Sequence, residues 1–213
     1  MIRAIDDLFR DQDFTTKSIL EMPKLTFLKE YLIGHKGIIA GGCFKNIFTD
    51  KKVKDVDIFF VKESFYKEAL SYYENNEDYE FVYENDKAIS FLNKKTKIRI
   101  ELIKLIFDNV ITLLNSFDFT VAKFALYRTE TVTEEGIEID DNVCFVNRFF
   151  EDLVNKKLVI DKDLLYPISS FERSYRYRSY GFVLCTGSKN KLIQAIKESD
   201  SPDLEEALYN GID

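Results

Sequence analysis

The sequence predicts an α/β (α+β) fold, with a small mixed sheet flanked by helices and a mostly helical C-terminal part. Two apolar segments, at 37–40 and 56–61, have the length and composition of buried strands. The segment at 63–74 has the apolar spacing of an amphipathic helix, and the segment at 97–103 alternates apolar and polar residues as a strand does. These patterns together indicate helices that pack on a sheet.

The bulk composition fits one domain, or one domain with a small appendage. The chain has 213 residues, 46% of them hydrophobic, and its 19 Phe and 12 Tyr are ample for a packed core. We expect a core at 1–125 that includes N-terminal helices, and a mostly helical part at 126–213. The net charge of −7 excludes a protein that coats nucleic acid with its whole surface, so any such contact requires a local basic patch.

Cysteine content and hydropathy predict a cytoplasmic location. The three cysteines are too few and too scattered for a disulfide framework, which favours a reducing compartment. We recognise no signal peptide, because the N-terminus lacks an apolar run behind basic residues. No segment approaches the about 18 consecutive apolar residues of a membrane span.

The first predicted elements are short. Helices are predicted at 3–10 and at 25–32 from the spacing of their apolar residues. Thr15 and Thr16 are predicted to cap a turn between them, which Pro23 ends.

Three strands and a helix follow the amphipathic helix. The predicted strands are 80–83, 88–92 and 97–103, and the turns between them are rich in Asn, Asp and Lys. Asp108 and Asn109 are predicted to cap a helix at 110–116.

The pattern is weaker in the C-terminal part. Apolar residues at 121–126 fit either a strand or a helix. A turn with acidic neighbours is predicted at 136–141, a helix at 145–158, and a last helix from Lys191.

A glycine pair and two aspartates form the most informative segment. Gly41 and Gly42 would let the backbone approach a phosphate closely and turn its N–H groups toward it. Asp55 and Asp57 stand two residues apart on a predicted strand, so both side chains project from one face. Neighbouring carboxylates repel each other unless a cation lies between them, and oxygen ligands suit Mg²⁺ or Mn²⁺. The segment therefore predicts chemistry on a nucleoside triphosphate.

This segment resembles the nucleotidyltransferase superfamily that includes DNA polymerase beta, and most closely the head region of CCA-adding and poly(A) polymerases. The resemblance is carried by three motifs in a fixed order: Gly41-Gly42, Lys45-Asn46 and Asp55-x-Asp57. The second motif departs from the family, which usually has Arg-Asp there; Lys45 keeps the positive charge without the planar fork, and Asn46 loses the negative charge. Phe117-Asp118-Phe119 resembles the Phe-Asp-Phe of short phage-type nucleotidyltransferases.

The resemblance implies a nucleotidyltransferase core and a Mg²⁺-dependent (or Mn²⁺-dependent) enzyme. It would move an NMP from an NTP to a hydroxyl acceptor, such as an RNA 3′ end (tRNA, for example), a protein or a small molecule. The implied catalytic and metal-binding residues are Asp55, Asp57 and Glu101, the last assigned by its position on a later strand. The implied nucleotide-binding residues are Gly41, Gly42, Cys43, Phe44 and Lys45.

Each of these residues also has a structural interpretation. Glu101 fits an exposed strand residue paired with Arg99 or Lys97, and Lys45 fits a solvated helix lysine. Cys43 fits a small packing residue. Asp118 fits a helix N-cap between two core phenylalanines, or a polar contact to nucleotide or acceptor.

The segment at 171–182 interleaves arginines with aromatic residues. Arg173, Arg176 and Arg178 face little acidic charge in the nearby sequence. That mixture suits the phosphates and stacked bases of an RNA end, or a triphosphate. The other interpretation is a helix with its tyrosines in the core and its arginines paired with acids.

Three functions remain compatible with the sequence. The first is the transferase, with the C-terminal part as its substrate-binding part. The second is a catalytically weak or inactive module with the same fold that binds nucleotide or a partner protein, which the Lys45-Asn46 departure favours. The third is a structural protein with an accidental motif.

Overall fold

A computed structural model describes residues 13–133 and 136–199. The strands are β1 (Phe14–Ser18), β2 (Ile38–Ala40), β3 (Asp55–Phe60), β4 (Tyr79–Glu84), β5 (Ala88–Asn93), β6 (Arg99–Ile106), β7 (Phe124–Thr133), β8 (Gly136–Val146), β9 (Lys157–Leu158) and β10 (Val183–Leu184). The α-helices are α1 (Gly42–Phe48), α2 (Glu63–Glu74), α3 (Val110–Ser116), α4 (Phe149–Val154), α5 (Pro167–Ser179) and α6 (Thr186–Glu198). The 3-10 helices are Ile19–Glu21, Pro23–Leu32 and Thr120–Ala122.

A mixed sheet forms the centre of the described chain. Its eight strands follow the order β1-β8-β7-β2-β3-β6-β5-β4, and β9 and β10 form a second, two-stranded sheet. Within the large sheet, β3 and β6 run parallel, and the other neighbouring pairs run antiparallel. The predicted fold class, a mixed sheet flanked by helices, is confirmed.

Apolar clusters cover both faces of this sheet. The larger cluster gathers residues from most helices, including Phe44, Ala69, Phe149, Tyr177 and Leu192. The smaller cluster lies under α3 and includes Phe59, Ile103, Phe107, Leu113 and Phe117. Because side chains alternate along β3, Ile58 joins the larger cluster and Phe59 the smaller one. Asp55 and Asp57 share the face of Phe59 but lie at the open end of the strand, where they stay partly exposed.

Several predicted elements are confirmed. Helix α2 spans the predicted 63–74, and α3 spans the predicted 110–116. The Asn109 side chain caps α3 by accepting a hydrogen bond from the Thr112 N–H at 2.8 Å. The three strands predicted between them correspond to β4, β5 and β6.

Other predictions were wrong. Thr15 and Thr16 lie in β1, where they pair with β8 instead of capping a turn. The predicted turn at 136–141 is the outer arm of the β7–β8 hairpin, whose residues are solvated on both faces up to Asp140 and so show no apolar alternation. The helix predicted at 145–158 is shorter, because β8 continues to Val146 and α4 begins only at Phe149.

The remaining predictions concern the segment at 121–126, the helix at 3–10 and the part after residue 125. At 121–126 a 3-10 turn precedes strand β7, so parts of both interpretations apply. The helix predicted at 3–10 lies outside the described residues. The sheet extends past residue 125 to Val146, and the helices α4 to α6 follow it. Every helix within the described ranges is too short or too polar to cross a bilayer.

Candidate active site

A cleft of about 140 Å³ lies between the start of α1, the start of β3 and one side of α5. The predicted site residues that line it are Gly42, Cys43, Lys45, Asp55, Asp57, Asp118, Arg173 and Arg176. Residues that are far apart in the sequence therefore meet in one concave surface. Asn46, Phe117, Ala122, Tyr177 and Tyr180 complete the lining.

The glycine pair shapes the entrance to α1. Gly41 has φ 93°, a left-handed conformation that favours glycine, and its N–H donates to the Phe124 carbonyl at 3.1 Å. A Cβ added to Gly42 would meet no atom within 4 Å, so open space lies above this backbone. Of the next two residues, Cys43 is a largely buried part of the cleft lining, and Phe44 packs on Phe124 with ring centroids 4.4 Å apart. Burial, aided by Asp57, raises the pKa of the Cys43 thiol. The thiol therefore stays protonated, and Cys43 acts as a small packing residue.

The parallel pairing of β3 with β6 sets the positions of the acidic residues. Asp55 lies beside Arg99, and Asp57 lies beside Glu101. Since side chains two residues apart share a face, all four project from the same side of the sheet. Glu101 itself does not line the cleft but adjoins the aspartate that does.

Arg99 bridges two of these carboxylates. Its Nε donates to Asp55 Oδ1 at 2.9 Å and lies 3.8 Å from Glu101 Oε1. Burial disfavours the charge, but the Asp55 and Glu101 carboxylates outweigh it and raise the pKa of the guanidinium. The structural interpretation of Glu101, a partner of Arg99, therefore applies in part.

Tyr83 is a site residue that the sequence reasoning missed. Its hydroxyl donates to Glu101 Oε1 at 2.8 Å. Burial and this bond raise the pKa of Tyr83 to about 12. Tyr83 pairs with Ser90 on β5, and Ser90 pairs with Glu101 on β6, so the small serine leaves room for the tyrosine to reach across a strand. A signal for this contact exists only in the register of three strands.

The carboxylates have the chemistry of a divalent-cation site, but they are not collected as one. Asp55 and Asp57 supply the oxygen ligands that Mg²⁺ or Mn²⁺ prefers. Within 13–133 and 136–199, no group of three His, Cys, Asp or Glu side chains is arranged to hold a metal ion.

Lys45 is buried rather than solvated. Its Nζ donates to Asn46 Oδ1 at 2.8 Å and lies 4.4 Å from the ring centroid of Tyr180 and 5.6 Å from that of Tyr177. Burial lowers the pKa of Lys45 to about 8. An anion bound next to this buried ammonium would stabilise its charged form.

Further cations surround Lys45 and add to the shift of its pKa. They are Lys51, Lys156 and Arg176, in decreasing order of effect. Lys51 Nζ also lies 5.4 Å from the ring centroid of Tyr180. The surroundings of Lys45 are therefore positive although the whole chain carries a charge of −7.

Helix α5 distributes its arginines over different surroundings. Arg173 Nε donates to Asp118 Oδ2 at 2.8 Å, and both side chains are largely buried. Phe119, not Asp118, precedes the 3-10 turn at the N-cap position. Arg176 lines the cleft, whereas Arg178 lines a separate apolar groove of about 420 Å³ between α5 and α6.

Comparison with known proteins gives a family. A family model described as "Gabija anti-defense 2 family protein" matches residues 6–156. A protein named "Gabija anti-defense 2" from Bacillus phage SPbetaL7 is 34% identical over 109 residues, which are 50% of this chain and 26% of that protein. The chain thus spans about a quarter of the length of this curated relative.

Solved structures of CCA-adding enzymes share the fold. A CCA-adding enzyme in complex with ATP superposes with a TM-score of 0.61 and 16% identity, over 91% of this chain and 50% of that one. The Thermotoga maritima CCA-adding enzyme complexed with tRNA gives a TM-score of 0.57 and 16% identity, with the same coverage. A tRNA nucleotidyltransferase with a primer tRNA and an ATP analog gives 0.52 and 20%, over 87% of this chain and 54% of that one. The chain spans about half of each structure, and these likenesses show a nucleotidyltransferase fold.

Proposed function

Since this chain belongs to the Gabija anti-defense 2 family, we propose that it is a phage-type anti-defence protein that acts by metal-dependent nucleotidyl transfer. The reaction moves an NMP from an NTP to a hydroxyl acceptor, and pyrophosphate leaves. The observation that carries the proposal is one cleft lined by Asp55, Asp57 and the cation Lys45, beside the Gly41-Gly42 bend.

The protein residues would act mainly by positioning and by balancing charge. The open backbone at Gly42 would approach the β- and γ-phosphates, while Lys45 and Arg176 offset their charge. Asp55 and Asp57 would hold the ion that carries the triphosphate, and Glu101 would join them beside the acceptor hydroxyl. Held by these carboxylates, Mg²⁺ or Mn²⁺ would supply charge neutralisation and would make the acceptor hydroxyl easier to deprotonate.

The acceptor would bind near the C-terminal part, 126–213. An RNA 3′ end such as tRNA, a host protein and a small molecule all present a suitable hydroxyl. Solved neighbours were complexed with ATP or tRNA, which supports nucleotide and RNA among the candidates. The paired Arg173 and the cleft-lining Arg176 are the residues that would meet a phosphate there.

A labelling experiment tests the transfer. The protein is incubated with each labelled NTP, Mg²⁺ or Mn²⁺, and total cellular RNA and protein, and the products are separated on a gel. We expect one labelled macromolecular band with the wild type and at least a hundredfold loss with Asp57→Asn, in line with the loss of an electrostatic contact to the transition state. Asp140→Asn is the matched control, because Asp140 is an exposed strand aspartate on β8. Equal labelling by folded Asp57→Asn and the control would refute this assignment.

A second candidate function rests on a specific observation. Arg99 already neutralises Asp55, and Lys45 already bonds to Asn46, so the site also suits a non-catalytic module that binds nucleotide or a partner protein. Isothermal titration with NTP and Mg²⁺ beside the labelling assay separates the two. Saturable binding without any transfer to RNA, protein or small acceptors favours the module.

A further inference from the structure

A positively charged side chain lies among the carboxylates at the start of β3 and β6. Arg99 projects from the same face as Asp55, Asp57 and Glu101, and its Nε lies within 4 Å of two of them. A guanidinium and a divalent cation cannot share the same carboxylate oxygens without strong repulsion. We propose that Arg99 is a built-in competitor of the divalent cation, which keeps Asp55 and Glu101 neutralised until a metal ion displaces it. This inference rests on the proposed function, whose metal site it regulates.

The exposure of the ion pair indicates that the fold does not depend on it. The side chains of Arg99 and Asp55 are 42% and 45% exposed. Pairs of this kind add little to folding stability because solvent screens them. The guanidinium can therefore leave Asp55 without unfolding the strand. Displacement by a metal ion requires such a departure.

The hydrogen bond from Tyr83 holds Glu101 independently of Arg99. Tyr83 donates to the same oxygen, Oε1, that lies 3.8 Å from Arg99. The 3.8 Å contact of Arg99 with Glu101 is longer than its 2.9 Å bond to Asp55. When Arg99 departs, Tyr83 still holds Glu101 in place beside Asp57.

Mn²⁺ binding to the full chain, in the absence of NTP and acceptor, tests the inference. Isothermal titration compares the wild type with Arg99→Gln and with Lys104→Gln. Lys104 is a matched control, because it also lies on β6, pairs with a carboxylate (Glu84, at 2.8 Å) and loses one positive charge on substitution. We expect Arg99→Gln to bind Mn²⁺ roughly five- to tenfold more tightly than the wild type, and Lys104→Gln to match the wild type.

A second variant separates charge from shape. Arg99→Lys keeps the competing charge, so its Mn²⁺ affinity should stay within about twofold of the wild type. The inference is overturned if Arg99→Gln binds no more tightly than Lys104→Gln, or if Arg99→Lys binds as tightly as Arg99→Gln. Circular dichroism of each variant confirms that it is folded.

The outcomes also separate this inference from the proposed function. Tighter Mn²⁺ binding by Arg99→Gln with no transfer by any variant supports the competitor and removes the transferase. Transfer by the wild type with unchanged Mn²⁺ affinity in Arg99→Gln does the reverse.

Discussion

At the scale of single residues, the cleft is lined by opposite charges that lie at different depths. Lys45 is buried against two tyrosine rings, whereas Asp55 lies at the open end of its strand. A buried ammonium is disfavoured, so it gains more than a surface lysine from an incoming anion. This arrangement makes the protonation of Lys45 a measurable reporter of triphosphate binding.

The lowered pKa of Lys45 predicts a pH dependence of nucleotide affinity. Because the pKa is about 8, the side chain is mostly charged at pH 7 and mostly neutral at pH 9. We expect MgATP affinity to fall about tenfold between these two values. Arg stays charged throughout this range, so Lys45→Arg should bind with little change across it. Titration calorimetry at both pH values measures this; a wild type as insensitive to pH as Lys45→Arg would place the phosphates away from Lys45.

The lowered pKa of Lys45 also makes folding stability depend on pH, in the opposite direction to nucleotide affinity. The folded protein disfavours the charged form of Lys45, so this residue costs stability below pH 8. The cost disappears as pH rises from about 8 toward the unfolded value of 10.5. As pH rises, deprotonation of Lys45 should therefore weaken nucleotide binding and increase folding stability.

At the scale of elements, a carboxylate ties the β7–β8 hairpin to the 3-10 helix Pro23–Leu32. Asp141 on β8 is 8% exposed, and it accepts from Arg128 at 2.8 Å and from Lys29 at 2.7 Å. Arg128 also donates to the Leu32 carbonyl at 3.1 Å. These contacts hold the helix that precedes β2, and so help to position the strand that leads into Gly41.

Removing this charge should loosen the connection. Asp141→Asn leaves two cations beside an almost buried amide, so we expect a loss of about 2 to 3 kcal/mol in the free energy of unfolding. Asp140→Asn, one residue earlier on the exposed face, should change it by less than about 0.5 kcal/mol. Urea denaturation of both variants gives the comparison. Equal stabilities would mean that the hairpin and the helix are held by packing alone.

The sequence predicts features that lie within one element better than contacts between elements. Local periodicity correctly predicted α2 and the alternation on β6, because each has one side more buried than the other, and the capping signal at Asn109 correctly predicted α3. The Asp-x-Asp spacing likewise predicts that Asp55 and Asp57 share a face. The bridge of Arg99 to Asp55 depends on the parallel register of β3 with β6, and the reach of Tyr83 depends on Ser90 between two strands. Such contacts are set by pairing between distant segments, which single-segment patterns do not encode.

At the scale of the whole molecule, a protein of net charge −7 gathers cations around Lys45, in a cleft that Asp55 and Asp57 also line. An acidic surface repels nucleic acid in general, so a polyanion would be drawn to a local cluster of cations such as Lys45, Lys51, Lys156 and Arg176. A nucleoside triphosphate that carries its own divalent cation matches both the cations and the carboxylates. Binding of this ligand to the native state alone must raise the stability of the entire fold.

Thermal unfolding with and without MgATP measures that linkage. At a ligand concentration about one hundred times the Kd, the native state gains about 2.7 kcal/mol, which corresponds to a rise in Tm of roughly 5 to 10 °C for a chain of this size. Lys45→Met should reduce the rise to near zero, because its side chain keeps the volume and loses the charge. Lys24→Met is the control, since Lys24 lies outside the cleft in an exposed pair with Asp50. Should MgATP leave the Tm of the wild type unchanged, or raise that of Lys45→Met equally, the cleft would not be a triphosphate site, and a structural role for the fold would be favoured.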